Sequence, residues 1–311
     1  MTISMRDAFL NELYGIAQED PRVILLSNDF GAPSLDKFRA DLASQFIHIG
    51  IAEQNMVNVA TGLAMAGKIP YMYSIAPFLP LRCYEQIRVH LALHRANITA
   101  VTVGAGYSYD LSGPTHQALE DIAIMDALPG MTILNGSDSV MGAAFAGLTY
   151  AEPGPKYVRF DREAFIPLYD GKNETFSDGL AVLKKGQDIT LIATGIMVHQ
   201  AFKVAEKLAQ HSIDTGIIDL YRIKPLNEDL LMASIKESGR AVTLEESFIN
   251  SGIGSIISDL VTRQGEGIRL KCFGVPNRFI SQGGHRNELH RLCGLDVDSL
   301  AKAVSSWMET V

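Results

Sequence analysis

The sequence predicts an α/β protein made of two doubly wound domains with mostly parallel sheets. The 311 residues correspond to about two domains at roughly 150 residues each. Short apolar runs alternate with amphipathic segments of helical length, which is typical of parallel strands covered by helices. Residues 171–188 are rich in Gly, Lys, Asp and Asn and interrupt this alternation. We therefore expect domains at 1–170 and 189–311, joined by a linker at 171–188.

The first domain begins with a predicted helix, because Ser4-Met-Arg-Asp7 resembles a capping box and apolar residues follow at helical spacing. Its strands are expected to be short apolar runs, buried on both faces. They lie at 23–26, 46–49, 70–73, 98–103, 131–134 and 157–160. Helices are expected at 53–66, 82–95, 115–128 and 140–150, with Thr115 as the cap of the third.

The second domain repeats the alternation. Strands are expected at 189–193, 216–220, 241–244 and 268–273, and helices at 198–210, 227–237, 254–263 and 298–308. In such sheets ligands bind at the carboxyl ends of the strands. The loops that end strands and carry grouped polar residues all lie in the first domain, at 28–34, 50–53, 74–81, 104–116 and 159–162.

Composition excludes several classes of function. The net charge is −8, from 27 basic and 35 acidic residues, which does not suit binding to nucleic acid through a basic face. Apolar runs stay below the ~20 residues of a membrane helix, and the polar N-terminus does not resemble a signal peptide. The three cysteines are too few and too scattered for a disulfide framework or a zinc site. We expect reduced thiols in a cytoplasmic protein that binds neither membrane nor nucleic acid.

Two residues are candidates for chemistry. Glu53 opens a predicted helix directly after a strand, where the helix dipole stabilises a carboxylate. His116 lies on the first turn of another predicted helix, which disfavours the imidazolium form. Taken singly, each has a structural explanation: a charge at a helix start for Glu53, and an ordinary structural histidine for His116.

A metal site in this chain is not predicted. His90 and His94 have the i, i+4 spacing of metal ligands on a helix, but no Glu follows His90 and no third ligand is evident. Histidines on a helix surface are the simpler interpretation.

Several segments together resemble the transketolase family, and in particular its C-terminal half. They are Gly50-Ile-Ala-Glu-Gln-Asn-Met56, Phe78, Tyr84-Glu-Gln-Ile-Arg88 and Gly113-Pro-Thr-His-Gln117, in that order and spacing. Segments that resemble the family's C-terminal domain follow, at 192–195, 223–226, 243–246 and 274–278. The resemblance covers nearly the whole chain.

The resemblance implies a thiamine diphosphate enzyme that moves a two-carbon ketol unit from a ketose to an aldose. It implies that Glu53 hydrogen-bonds the aminopyrimidine ring and that Phe78 lies under this ring, with Ile75 or Leu81 where the family often has a second aromatic residue. The implied substrate-binding residues are Ser34, Ser112, His116 and Arg162. His116 would bind substrate oxygens during proton transfer, while Ser34 and Arg162 would hold a distal anion.

The chain lacks the Gly-Asp-Gly stretch with which the family holds the diphosphate and its metal ion. We therefore expect a separate N-terminal subunit to supply that site, with Mg²⁺ or a similar ion held mainly by the partner, in an α2β2 assembly. The chain alone is predicted to be inactive. Ser112 stands where the family commonly has Asp, and Gly104 where it has a further histidine. These two departures favour an unusual ketose with a modified or sulfonated end.

Two other functions remain open at the level of sequence. The beta subunit of a 2-oxoacid dehydrogenase's decarboxylating component shares the expected architecture and cofactor, although Gly113-Pro-Thr-His-Gln117 fits it less well. A non-catalytic scaffold subunit is the other, and the presence of both Glu53 and His116 argues against it. An electron-transfer or nucleotide-binding protein would rest on fold analogy alone.

Overall fold

The structure, a computed structural model, describes residues 3–28, 31–172, 174–265 and 267–310. Within these residues the strands form two sheets of mostly parallel strands, with helices packed against them. The strands are β1 (Val23–Ser27), β2 (Phe46–His48), β3 (Ile69–Ile75), β4 (Thr99–Val103), β5 (Thr132–Asn135), β6 (Lys156–Phe160), β7 (Leu180–Lys184), β8 (Ile189–Ala193), β9 (Thr215–Leu220), β10 (Arg222–Lys224), β11 (Arg240–Phe248) and β12 (Arg269–Val275).

The first sheet has the order β10-β5-β6-β4-β3-β1-β2, and only the β10–β5 pair is antiparallel. The second has the order β12-β11-β8-β9-β7, and only the β7–β9 pair is antiparallel. The two doubly wound sheets predicted from the sequence are therefore confirmed. Strand β7 lies inside the predicted linker, so we propose 171–188 as a connecting segment that also supplies an edge strand to the second sheet.

The helices are α1 (Met5–Glu19), α2 (Leu35–Asp41), α3 (Glu53–Met65), α4 (Leu79–Arg82), α5 (Tyr84–Gln86), α6 (Asp121–Asp126), α7 (Ser139–Ala151), α8 (Ile196–Ala209), α9 (Glu228–Lys236), α10 (Ile253–Gln264), α11 (Arg286–Cys293) and α12 (Val297–Met308). The predicted cap of α1 is confirmed, since the Ser4 hydroxyl accepts a hydrogen bond from the Asp7 amide at 3.1 Å. None of the described helices is both long and apolar enough to cross a membrane.

Two predicted helices are wrong in detail. The helix expected at 82–95 is broken into α4, α5 and a wider turn of π-helix at Ile87–Leu93. The helix expected from Thr115 begins only at Asp121. Before it the chain makes two short 3₁₀ turns, because Gly113 has a positive φ of 75° and Gly106 pairs with Ala118 instead of allowing a continuous helix.

One of the three apolar core clusters contains residues of both sheets. Helices α1, α2 and α7 cover one face of the first sheet, and α3 and α6 cover the other. Helix α9 packs against β11 of the second sheet. Tyr107 and Leu119, from the loop after β4, pack into the core of the second sheet. The amide of Phe248 in β11 also donates to the carbonyl of Leu119 at 3.1 Å. The loop after β4 is therefore held between the two domains.

Candidate active site

Four of the predicted site residues follow strands of the first sheet, at the carboxyl edge of that sheet. Strands β6, β4, β3, β1 and β2 run parallel, so the segments that follow them meet at one edge. Glu53 begins α3 after β2, Phe78 follows β3, and Arg162 follows β6. His116 lies in the loop after β4. A continuous series of contacts joins these four side chains.

Glu53 is a buried carboxylate at the start of a helix. Its side chain is 2% exposed. Its Oε1 accepts a hydrogen bond from Asn28 Nδ2 at 3.1 Å, and its Oε2 forms an ion pair with Arg82 Nη1 at 2.7 Å. The side chain of Arg82 is 46% exposed, so its guanidinium can move to solvent when another donor takes its place, because an unpaired buried carboxylate is costly.

Asn28 holds the carboxylate in place from the end of β1. Its amide nitrogen also donates to Ser74 Oγ at 2.8 Å. Its Oδ1 is buried and has no hydrogen-bond partner among the described residues. A buried acceptor without a donor costs free energy, which fits a site that a ligand with a donor group completes.

A series of contacts leads from the Glu53 carboxylate through Arg82 and Phe78 to His116. The Arg82 guanidinium lies 5.0 Å from the centroid of the half-buried Phe78 ring. That ring meets the His116 ring edge-on, at a centroid distance of 5.2 Å. The Thr115 hydroxyl lies 2.9 Å from His116 Nδ1, so one ring nitrogen is held by a neighbour.

Tyr109 links His116 to Arg162. Its ring centroid lies 6.3 Å from that of His116 and 5.1 Å from the Arg162 guanidinium carbon. Burial raises the pKa of Tyr109, which keeps its hydroxyl protonated at neutral pH. The same ring explains Gly104: a Cβ at that position would lie 2.4 Å from Tyr109 Cε2. The space that a larger residue at 104 would need is therefore filled by Tyr109.

The expectation that His116 lies on the first turn of an α-helix is wrong. It ends a three-residue 3₁₀ turn, Pro114–His116, that is too short to provide a helix dipole. Contacts with Phe78, Tyr109 and Thr115 set the position of its ring instead.

Ser34 lies in a second polar group, at the start of α2. Its hydroxyl donates to Asp7 Oδ1 at 2.8 Å, and Asp7 pairs with Arg6 at 2.8 Å. Burial acts against the charge of Arg6, but Asp7 and Tyr73 raise its pKa. Asp29 and Phe30, in the same loop 28–34, lie outside the described residues.

Three further residues that the resemblance implies, Ile75, Leu81 and Ser112, lie on β3, on α4 and on a turn of the loop after β4. Ile75 ends β3, is 8% exposed and lies on the same side of Gly104 as the Tyr109 ring. Leu81 is 40% exposed on α4. Ser112 is exposed on the 3₁₀ turn Asp110–Ser112.

Sequence reasoning singled out none of four residues near the site, Arg6, Asn28, Arg82 and Tyr109, although the loops 28–34 and 104–116 that it indicated contain Asn28 and Tyr109. Asn28 carried a usable signal, because it directly follows a buried strand. The other three lie inside helices or turns, and only their contacts mark them. Across the described part of the chain, no three His, Cys, Asp or Glu side chains are grouped as metal ligands.

Comparison with known families agrees with this geometry. Residues 1–166 match the transketolase pyrimidine-binding domain, and residues 179–300 match the transketolase C-terminal domain. Among solved structures, a split-gene transketolase described as an inactive beta4 tetramer superposes with a TM-score of 0.87 at 28% identity, covering 99% of both chains.

Curated relatives point to the same family. A 6-deoxy-6-sulfo-D-fructose transketolase subunit, SqwH, from Clostridium sp. strain MSTE9 is 34% identical over 96% of this chain and 92% of its own length. A subunit of an apulose-4-phosphate transketolase from Phocaeicola vulgatus is 30% identical, over 99% of this chain and 98% of its own length. The chain therefore belongs to the transketolase family and corresponds, in length and domain content, to the separately encoded C-terminal subunits of such enzymes.

Proposed function

We propose that this chain is the C-terminal subunit of a two-chain, thiamine diphosphate-dependent transketolase. The complex moves a two-carbon ketol unit from a ketose to an aldose. The observation that carries the proposal is the buried Glu53 carboxylate, joined through Arg82 to the Phe78 and His116 rings at the carboxyl edge of the sheet. The names of the relatives support the same reaction.

Glu53 and Asn28 fit the pyrimidine end of the cofactor. Glu53 would accept a hydrogen bond from the protonated ring nitrogen in place of Arg82, and the unpaired Asn28 Oδ1 offers a further acceptor. Phe78 would provide an apolar face for the ring, with Ile75 and Leu81 beside it. When bound, the cofactor supplies the nucleophilic carbon and the electron sink for breaking the carbon–carbon bond.

His116 is proposed to hold and move protons at the substrate. Its Nδ1 is held by Thr115, and Phe78 and Tyr109 restrict its ring. A histidine so placed can exchange a proton with a substrate hydroxyl. Ser112, four residues before it, lies on the exposed rim where it can contact the substrate.

The distal end of the substrate is proposed to be anionic. The charges of Arg162 and Arg6 both act on Tyr109, and Ser34 is connected to Arg6 through Asp7. Guanidinium groups bind phosphate or sulfonate oxygens in pairs. The relatives named above act on a sulfonated and a phosphorylated sugar, which supports a ketose with one of these ends.

The diphosphate and its Mg²⁺ are proposed to lie mainly on a separate N-terminal subunit. The sequence contains no Gly-Asp-Gly stretch, and the relatives are named as subunits. We propose an α2β2 assembly with the active site between the two kinds of chain.

Reconstitution tests the proposal. The chain, its N-terminal partner, thiamine diphosphate and Mg²⁺ are mixed, and two-carbon transfer is followed over a panel of ketoses and aldoses, with each chain alone as a control. We expect turnover only in the mixture. Decarboxylation of a 2-oxoacid without ketol transfer would instead indicate the dehydrogenase function, and a stable complex without activity would indicate a scaffold.

A matched pair of variants tests the role of Glu53. Glu53→Gln should abolish transfer in the reconstituted complex, while Glu19→Gln, at the exposed end of α1, should leave it unchanged. Equal activity of both variants would contradict a role for Glu53 in the reaction.

A further inference from the structure

A buried group of charges joins the C-terminal domain to the substrate end of the proposed site. It contains Asp161 from the end of β6, Glu246 from β11, and Arg286 and His290 from α11, and none of these residues is more than 8% exposed. We name these four residues the interdomain charge cluster. Two of its members belong to the helix that the sequence pattern did not reveal.

Arg286 is the centre of this cluster. Its Nε donates to Glu246 Oε1 at 2.8 Å, and its Nη2 donates to Glu246 Oε2 at 2.6 Å and to Asp161 Oδ2 at 2.5 Å. His290 Nε2 lies 2.5 Å from Glu246 Oε1. The guanidinium thus bridges a carboxylate of each domain. The Coulomb attraction of Arg286 and the hydrogen bonds from Arg286 and His290 outweigh burial and hold the pKa of Glu246 well below its usual range.

The cluster also holds the backbone that carries Tyr109 and Arg162. Glu246 Oε2 accepts from the Tyr107 amide at 2.9 Å. Asp161 Oδ1 accepts from the Ser108 hydroxyl at 2.9 Å, and the Ser108 oxygen accepts from the Arg162 amide at 2.8 Å. Arg162 directly follows Asp161 in the chain, and these two hydrogen bonds through Ser108 also connect its amide to the Asp161 carboxylate.

We propose that Arg286 is a positioning residue for the substrate end of the site. By bridging Glu246 and Asp161 it fixes the loop after β4 and the end of β6, so that Arg162 and Tyr109 keep their places beside His116. The C-terminal domain, which contributes none of the side chains of the proposed reaction, thereby sets the geometry for the anionic end of the substrate. This inference rests on the proposed function for its kinetic consequence, but the restraint itself is a property of the chain.

The variant that tests it is Arg286→Lys, which keeps one positive charge but cannot bridge two carboxylates with the same set of hydrogen bonds. Its matched control is Arg222→Lys, because Arg222 also forms a bidentate pair, with Glu152 at 2.7 and 3.0 Å, and sits on the edge strand β10. Glu246→Gln provides a second variant of the cluster that keeps the size of the side chain, should Arg286→Lys fail to fold.

The first measurement is hydrogen–deuterium exchange of the two-chain complex. In Arg286→Lys, peptides spanning 104–112 and 160–163 should exchange about tenfold faster, since local opening sets exchange rates. In Arg222→Lys these peptides should exchange as in the unmodified chain. Unchanged exchange of both segments in Arg286→Lys and in Glu246→Gln would overturn the proposal.

The second measurement is a comparison of a charged and a neutral donor. For 6-deoxy-6-sulfofructose or fructose 6-phosphate, Arg286→Lys should raise KM about 10- to 100-fold, the size of effect of a misplaced binding group, with little change in kcat. For the neutral ketose erythrulose, KM and kcat should stay within about threefold. Adding Arg286→Lys to Arg162→Gln should raise KM little further, because both changes remove the same contact.

The kinetic outcomes distinguish the positioning role of Arg286 from the proposed transketolase function. An equal loss for charged and neutral ketoses would show a general structural defect and overturn the positioning role. If the unmodified complex turns over no ketose, the proposed function fails, and the exchange measurement still decides whether Arg286 restrains the loop.

Discussion

At the scale of single residues, Glu53 is occupied by a neighbour that the proposed cofactor would have to replace. Arg82 pairs with Glu53 Oε2 at 2.7 Å and lies over the Phe78 ring at 5.0 Å. It therefore covers both the polar and the aromatic parts of the proposed pyrimidine site. Its half-exposed side chain makes it a displaceable cation and not a fixed structural partner.

Arg82→Gln is therefore expected to strengthen thiamine diphosphate binding to the two-chain complex. The guanidinium competes with the cofactor for Glu53, so its removal should lower Kd by about twofold to fivefold, equivalent to about 0.4–1 kcal/mol. Isothermal titration calorimetry measures this directly. Arg88→Gln, in the exposed part of the neighbouring turn, is the control and should leave Kd unchanged. Weaker binding by Arg82→Gln would show that Arg82 assists the cofactor and does not compete with it.

His116→Asn is expected to reduce kcat by about 10²–10⁴-fold, the usual contribution of a proton-transferring side chain. Because His116 lies on a short surface turn outside the core clusters, its replacement should leave the free energy of unfolding nearly unchanged. Steady-state kinetics and urea denaturation measure the two effects. His94→Asn, on an exposed surface, should change neither. A normal kcat in His116→Asn would remove this residue from the reaction.

Sequence reasoning reached Glu53 because it follows an apolar strand, and His116 because it was expected at the start of a helix. It reached Phe78 only through the resemblance to the transketolase family. It did not reach Arg82 or Tyr109. Their importance comes from the partners they meet, which lie 29 residues away for Arg82 and Glu53. Such pairings depend on how strands are ordered in the sheet, and no local pattern encodes that order.

At the scale of elements, the loop after β4 shows how tertiary contacts override local preference. The sequence predicts a helix from Thr115. In the structure, Gly106 and Ala118 instead form an isolated β-bridge, and the residues between them include two short 3₁₀ turns. Gly106 has φ of +58°, and a Cβ there would lie 2.0 Å from Glu246 Oε2. The loop conformation thus depends on a carboxylate of the other domain.

Gly106→Ala is expected to destabilise the chain by about 2 kcal/mol or more, from left-handed strain together with the clash with Glu246. Gly15→Ala provides the opposite control. Gly15 lies in α1, and a Cβ added there would have no atom within 4 Å, so alanine should stabilise the chain by about 0.5–1 kcal/mol. Urea denaturation followed by circular dichroism compares the two. Equal stability of Gly106→Ala and the unmodified chain would contradict the described loop packing.

Helix α11 was not predicted, because tertiary contacts and not an apolar pattern determine its buried face. Its buried residues are Arg286, Leu289 and His290, so two of the three are polar. An apolar period cannot mark a helix whose buried face meets a charge cluster. Strand β10 was missed because it is three residues long and antiparallel.

At the scale of the whole molecule, a second polar contact crosses between the two sheets. Asp219, in β9 of the second sheet, accepts from the Ser137 hydroxyl at 2.5 Å and from the Tyr169 hydroxyl at 2.9 Å, both at its Oδ2. Ser137 follows β5 of the first sheet, and Tyr169 precedes the connecting segment. One fully buried carboxyl group therefore joins both sheets and the residue that lies just before the connecting segment.

This group makes the stability of the two-domain arrangement depend on pH. Burial raises the pKa of Asp219 to about 7, although hydrogen bonds from Ser137 and Tyr169 oppose the shift. The unfolded chain releases the same proton near pH ~4. Between about pH 4 and 7 the folded state binds more protons than the unfolded state, so the free energy of unfolding falls as the pH rises through this range.

Asp219→Asn should remove this dependence, because an amide keeps an acceptor oxygen for Ser137 and Tyr169 without titrating. Relative to the unmodified chain, the variant should gain stability as the pH rises from about 5 to 7, by up to about 1.4 kcal/mol per pH unit. Urea denaturation at several pH values measures the difference, and Asp229→Asn, at an exposed position in the first turn of α9, is the control. Parallel stability curves for Asp219→Asn and the unmodified chain would show that Asp219 is ionised throughout. In that case the contact between the sheets would be a charged one at every pH in the range.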